Sequence, residues 1–145
     1  MTAPLYNATI LRLAASIPHH DRLPAPMATV EKRSPICGSR VTVDVSVDAD
    51  GRIETLGMLV RACALGQASA SLFGAEAIGK SPADLAAARD ALTAWLAGAR
   101  DTPPDWPGLD IFTPALPYSA RHPSIRLAFE AAAEAAEQAA KANAQ

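Results

Sequence analysis

Apolar and polar residues alternate strictly over "RVTVDVSV", with Val41, Val43, Val45 and Val47 on one side of an extended chain and Thr42, Asp44 and Ser46 on the other. A period of two marks a strand with one buried and one wet face. "DADG" follows, and Asp50-Gly51 supplies the positive φ that a tight reversal needs, so a return strand is expected from Arg52 to about Arg61. The return strand alternates less cleanly, and Gly57 inside it predicts a bulge. Upstream, "MATVEKRS" carries a weaker strand pattern.

Elsewhere the period is helical. Tyr6, Ile10, Leu13 and Ile17 form a stripe with Arg12 outside it, which predicts an amphipathic helix over residues 5–17, ended by Pro18 and covering a sheet. After Cys63, the stripe Leu65, Ala68, Leu72 and Ala75 runs among small residues, implying close backbone packing. In "SPADL", Ser81 is a cap, Pro82 the first helical residue and Asp84 the side chain that reaches back; Leu85, Ala88, Leu92 and Trp95 then share a face, and Gly98 stops the helix. Residues 99–120, rich in proline and aspartate, read as a long loop with at most a brief turn inside. From about Ser124 an alanine-rich helix follows, and Glu137, four residues before Lys141, suits an exposed face. "HHDRLPAP" reads as loop, with His19 and His20 solvated. The fold class these elements predict is α+β: a small, mainly antiparallel sheet of about three strands with helices packed on one face.

Length and charge narrow the classes of function. A chain of 145 residues fits one domain, 1–145, with a core that needs no disulfide or metal staple. A net charge of −2 implies no extended basic surface for nucleic acid. The opening run, interrupted by Asn7 and Arg12, does not read as a signal peptide, and no stretch has the apolar length to span a bilayer. A cytoplasmic location is expected, where two cysteines are free thiols or ligands rather than a bridge.

Those cysteines are the candidate chemistry. Cys37 and Cys63 lie equally far from Asp50 along the chain, so a hairpin folded there brings both to its open end. Neighbouring strands are about 5 Å apart, close enough for both sulfurs to share a metal or cluster. Cys63 also opens a helix, where free amides and the positive dipole end favour a thiolate, the form that binds soft metals. Against this stands the common fate of a free cysteine, a small buried hydrophobe.

At these residues the chain resembles the U-type iron-sulfur cluster scaffolds: IscU, SufU and the N-terminal domain of NifU. "SPICGSR" is similar to the family's first cysteine segment, "VDADGRIETLGMLVRAC" to its hairpin, and "ACALGQASASLF" to its second cysteine with a small-residue run. "GKSPADL" is similar to the start of the next helix and "ARHPSIRLAFEAA" to the last motif. The resemblance spans about residues 5–135 and implies a SufE/NifU-like fold, no enzymatic activity, an iron-sulfur cluster or iron (or zinc) held transiently, and as partners a cysteine desulfurase and cluster-recipient proteins. It implies Cys37 and Cys63 as cluster and metal ligands. Two family positions differ: Ser39 stands where the family has aspartate, and the third cysteine is absent, replaced by Ser124 when the helix is aligned or by Pro123 when the preceding loop is. Ser39 and Ser124 are then weak neutral oxygen donors, and Ser124 equally suits a helix N-cap. His122 is either a further metal ligand or a solvent-facing loop histidine, and Arg121 either holds sulfide or pairs with a helix C-terminus.

Three functions follow in order: a scaffold or carrier using Cys37 and Cys63; a ligand-poor homologue serving as an interaction or regulatory module; and, last, an enzyme, either a sulfur relay on Cys63 or a thiol hydrolase with His122 as base. The last ranks lowest because the sequence demonstrates no oriented Cys-His-acid set.

Overall fold

The computed structural model describes residues 6–35 and 38–143. Three antiparallel strands, β1 (Ala28–Arg33), β2 (Arg40–Val47) and β3 (Ile53–Arg61), form one sheet in the order β1-β2-β3. The turn after β2 is held by Asp48, whose Oδ1 accepts from the Asp50 amide at 2.9 Å and the Arg52 amide at 3.0 Å. Gly51 sits at φ +81° there, the left-handed region that glycine enters without steric cost.

The expected bulge is elsewhere. β2 and β3 pair regularly from Arg40↔Arg61 to Ser46↔Thr55, Asp44↔Gly57 included, and the register slips only between Ser46 and Val47. Gly57 has another purpose: a Cβ there would collide with the Asp21 carbonyl oxygen and lie 3.0 Å from Leu23 N. Residues 18–26 cross that face of the sheet as a strap, with the His19 carbonyl accepting from Met58 N at 2.9 Å and His20 Nε2 from Val60 N at 3.3 Å.

The strap overturns the expectation of a wet face on β2. Thr42 is buried and Asp44 is fully so. An ionised carboxylate survives burial only when its lone pairs are engaged. Asp44 accepts from Arg22 Nε at 2.6 Å and Nη2 at 3.1 Å, Thr29 Oγ1 at 2.6 Å and the Leu23 amide at 3.0 Å. Burial pushes its pKa up, but those hydrogen bonds, with the Arg22 charge, outweigh the burial and hold it below the ordinary carboxylate value.

Val41, Val43, Val45 and Val47 point the other way, into the helical layer. Its centre is α4 (His122–Asn143), packed on β1 and β2 and against the helices α2 (Ala64–Glu76) and α3 (Pro82–Leu96). Alanines 131, 132, 133, 135, 136 and 139 of α4 are all buried, and their small side chains let neighbours approach on several sides at once. The outer end of α4 keeps the expected ion pair, Lys141 Nζ to Glu137 Oε1 at 3.2 Å. α1 (Ala8–Ala14) is shorter than expected, starts where Asn7 Oδ1 accepts from Ile10 N at 3.0 Å, and packs on α2 rather than on the sheet. α3 has the full capping box of Ser81 and Asp84.

Residues 99–120 are not loop throughout. They contain a 3₁₀ helix, Leu109–Ala115, with Leu109, Phe112 and Ala115 buried. Trp106 stacks on Phe73 with centroids 5.6 Å apart, meets Phe129 edge-on at 5.2 Å, and donates through Nε1 to the Leu72 carbonyl at 2.8 Å. Among the described residues no helix is long and apolar enough to cross a membrane.

Candidate functional site

Three chain segments meet at one end of the sheet: the start of β2, the start of α2 and the start of α4. The loop from β1 to β2 is closed by the Ser34 amide donating to the Ser39 carbonyl at 2.8 Å, with Gly38 at φ +73° inside it. Cys37 belongs to this loop and lies outside the described residues, as does its expected meeting with Cys63.

Cys63 is a half-buried free thiol and the N-cap of α2, with φ −65° and ψ 170°. Its carbonyl already accepts the first helical hydrogen bond, from Gln67 N at 2.9 Å, while its side chain makes no capping bond. In a capping box the side chain three residues into the helix accepts from the N-cap amide. Here that residue is Gly66, which has no side chain to offer. Ser39 Oγ, just before β2, takes the part instead, accepting from Cys63 N at 3.4 Å.

Gly66 is required for a second reason. A Cβ on it would lie 2.8 Å from the Ala62 Cβ and 3.2 Å from the Ser124 carbonyl oxygen, so its absence admits the first turn of α4. Ser124 Oγ there donates to Ser39 Oγ at 3.2 Å, and both residues are buried, 1 % and 3 % exposed. Ser69 Oγ adds a parallel tie from α2 to the Ile125 carbonyl at 2.6 Å. The N-cap expectation for Ser124 does not hold, because α4 already begins at His122.

His122 is 5 % exposed rather than solvent-facing. Its Nε2 lies 3.0 Å from the Ala115 carbonyl oxygen. A carbonyl only accepts, so Nε2 carries the proton and Nδ1 is the ring nitrogen left for other partners. The bond ties the 3₁₀ helix to the start of α4. Arg121 is exposed at the end of the short 3₁₀ helix Ser119–Arg121, and His19 and His20 are exposed on the strap.

The donor set is therefore one described thiol beside two buried neutral hydroxyls. Among the described residues no three His, Cys, Asp or Glu side chains gather as a metal-binding group. A feature absent from the sequence reading borders the site: Arg33, Arg40 and Arg61 stand in file across the three strands, Arg33↔Arg40 and Arg40↔Arg61. Counting the register outward from the two hairpin turns would have found it.

No family model matches the chain, and no curated protein matches it. Among solved structures, a nitrogen-fixing NifU-like protein (N-terminal) from Brucella abortus is 36% identical, with a TM-score of 0.87, and the match covers 94% of this chain and 95% of that one. A candidate iron-sulfur cluster assembly scaffold protein for the SUF system from the thermophile Fervidobacterium islandicum shares the fold with a TM-score of 0.76 at 18% identity, covering 91% of this chain and 96% of that one.

Proposed function

This chain belongs to the IscU/SufU/NifU N-terminal family, and from that premise we propose that it is a non-enzymatic iron-sulfur cluster assembly scaffold or carrier whose cargo is held on Cys37 and Cys63. The observation that supports the reading is the bond from the Cys63 amide to Ser39 Oγ, which ties the residue before β2 to the start of α2. Cys37 precedes Ser39 by only two residues, a length of chain that spans at most about 7 Å. On this reading both thiols serve one rim, and thiolate ligands suit an iron-sulfur cluster, ferrous iron or zinc.

Two thiolates leave a tetrahedral site half filled. Ser39 and Ser124 are poor competitors for the remaining positions, since neutral hydroxyls bind soft metals weakly and these two are engaged with each other. His122 enters only through Nδ1, because Nε2 serves Ala115. Water or a partner protein completes the site, which makes for loose holding and easy release. The partners this role requires are a cysteine desulfurase as sulfur donor and cluster-recipient proteins in the cytoplasm.

The mutual bond of Ser39 and Ser124 also favours a second reading, a ligand-poor homologue that keeps the fold as an interaction module. Anaerobic reconstitution with iron and sulfide separates the two. The carrier reading expects visible thiolate-to-iron absorbance in the wild type, lost in Cys37→Ala and in Cys63→Ala while both variants stay folded. A folded wild type that stays colourless overturns it and leaves the module. Persulfide on Cys63, with Cys37 dispensable, would instead indicate a sulfur relay.

A further inference from the structure

The arginine file across the sheet sets like charges side by side. Residues directly opposite in an antiparallel pair project on the same face, and like charges there are destabilising. Arg33 faces Arg40 across β1–β2, and Arg40 faces Arg61 across β2–β3, so three cations occupy consecutive positions of one row. Among the described residues their one ion-pair partner is Glu31, 3.0 Å from Arg33 Nε and 3.6 Å from Arg40 Nε. Among the described residues Arg61 makes no ion pair and is exposed. The row carries an excess of positive charge on a chain whose net charge is −2.

Its position is as specific as its charge. Arg33 immediately precedes the loop that carries Cys37, Arg40 immediately follows it, and Arg61 stands two residues before Cys63. A protein that brings its own reactive group to the thiols must cover this rim. Guanidinium forks bind carboxylates in bidentate geometry, and arginine is among the residues that dominate interface energies. We propose that Arg33, Arg40 and Arg61 form a docking row for an acidic segment of a partner protein that exchanges cargo at the rim. The proposal deepens the scaffold reading and rests on it for the purpose of docking, but not for the binding itself.

The row predicts opposite effects on stability and on binding. Arg61→Glu places a carboxylate opposite Arg40, turning a like-charge pair into an attractive one. The variant is expected to melt at the wild-type temperature or higher. With a fluorescent oligoglutamate peptide as probe, metal-free wild type is expected to bind at low ionic strength and to weaken as salt is added. Arg61→Glu is expected to weaken binding several-fold and Arg33→Glu with Arg61→Glu at least tenfold. Arg52→Glu, in the turn before β3 at the opposite end of the sheet, where Arg52 pairs with Asp84, is the control and should bind as wild type does.

Equal affinity across all variants, or a marked fall in melting temperature for Arg61→Glu, overturns the proposal. So does preference for an oligonucleotide of matched charge over the peptide, which would make the row a phosphate-binding surface. Because the titration uses metal-free protein, a failure of the thiols to hold cargo leaves its result intact.

Discussion

Ser124 Oγ donates to Ser39 Oγ at 3.2 Å across 85 positions of sequence, and the same Ser39 oxygen accepts the Cys63 amide at 3.4 Å. One hydroxyl thus joins the starts of β2, α2 and α4 at the residue that bears the thiol. The backbone of Cys63 is positioned by this chain of bonds, whatever the sulfur holds.

Ser39→Ala removes the acceptor for both donors. A buried hydrogen bond is worth about 1 kcal/mol net, and a donor left unpaired costs about 1–3 kcal/mol, so a loss of about 1–3 kcal/mol is expected in urea denaturation. The Cys63 amide should exchange with solvent at least several-fold faster. Ser124→Ala should do less, and the double variant should lose less than the sum of the two, the sign of a shared network. Additive losses with unchanged Cys63 exchange would separate the serines from the thiol.

Asp44 is the second polar centre, under the strap. Asp44→Asn keeps the shape but removes the charge that Arg22 and the Leu23 amide address, and about 2–4 kcal/mol of stability at neutral pH is expected to go with it. The pH dependence follows from the direction of the shift. Because the folded carboxyl titrates below its unfolded value of about 4, its contribution is present above that value and disappears as pH falls through the folded one. The gap between wild type and variant should therefore be widest near pH 7 and close in strong acid, as read from denaturation curves at each pH. A constant gap would mean that shape and not charge carries the effect.

The β2–β3 hairpin was legible because the valine alternation and Asp50-Gly51 act locally, within a few residues. The burial of Asp44 was not, since its cover comes from a strap with no periodicity of its own. Gly57 shows the same limit: in a strand, glycine marks either a bulge or a close approach, and only the position of Asp21 and Leu23 decides between them. The 3₁₀ helix of Leu109–Ala115 did leave a trace, as Trp106, Leu109, Phe112 and Ala115 recur every third residue, the period of that helix. Proline and aspartate between them masked it. At the site, Cys63 as a helix opener and the alignment of Ser39 and Ser124 with family positions came from sequence. The bond between the two serines joins residues whose separation in the chain gives no hint of contact.

Gly66→Ala tests the close approach of α4 to α2. In an isolated helix the change is favourable by about 1 kcal/mol. Here the added methyl meets the Ala62 Cβ at 2.8 Å and the Ser124 carbonyl at 3.2 Å, and overpacking of this kind costs about 1–3 kcal/mol. The variant should be destabilised despite the gain in helix propensity, with faster exchange at Cys63 as α4 is pushed off Ser39. A more stable variant with an unperturbed Cys63 amide would show that the junction yields freely.

His122 offers the sharpest separation of fold from cargo. Its ring is buried and Nε2 holds the Ala115 carbonyl at 3.0 Å, so His122→Ala opens a cavity and strands an acceptor, with about 2–4 kcal/mol of stability lost. His122→Gln keeps an N–H donor and should recover part of that loss. If the histidine acts only as this tie, folded His122→Gln loaded with cobalt, a spectroscopic stand-in for iron or zinc, gives the wild-type thiolate and ligand-field bands. That is the expected result, since the tie already commits one ring nitrogen and fixes the ring between the 3₁₀ helix and α4. Ligand-field bands that shift in the variant while its thermal stability is largely restored would instead count Nδ1 among the ligands.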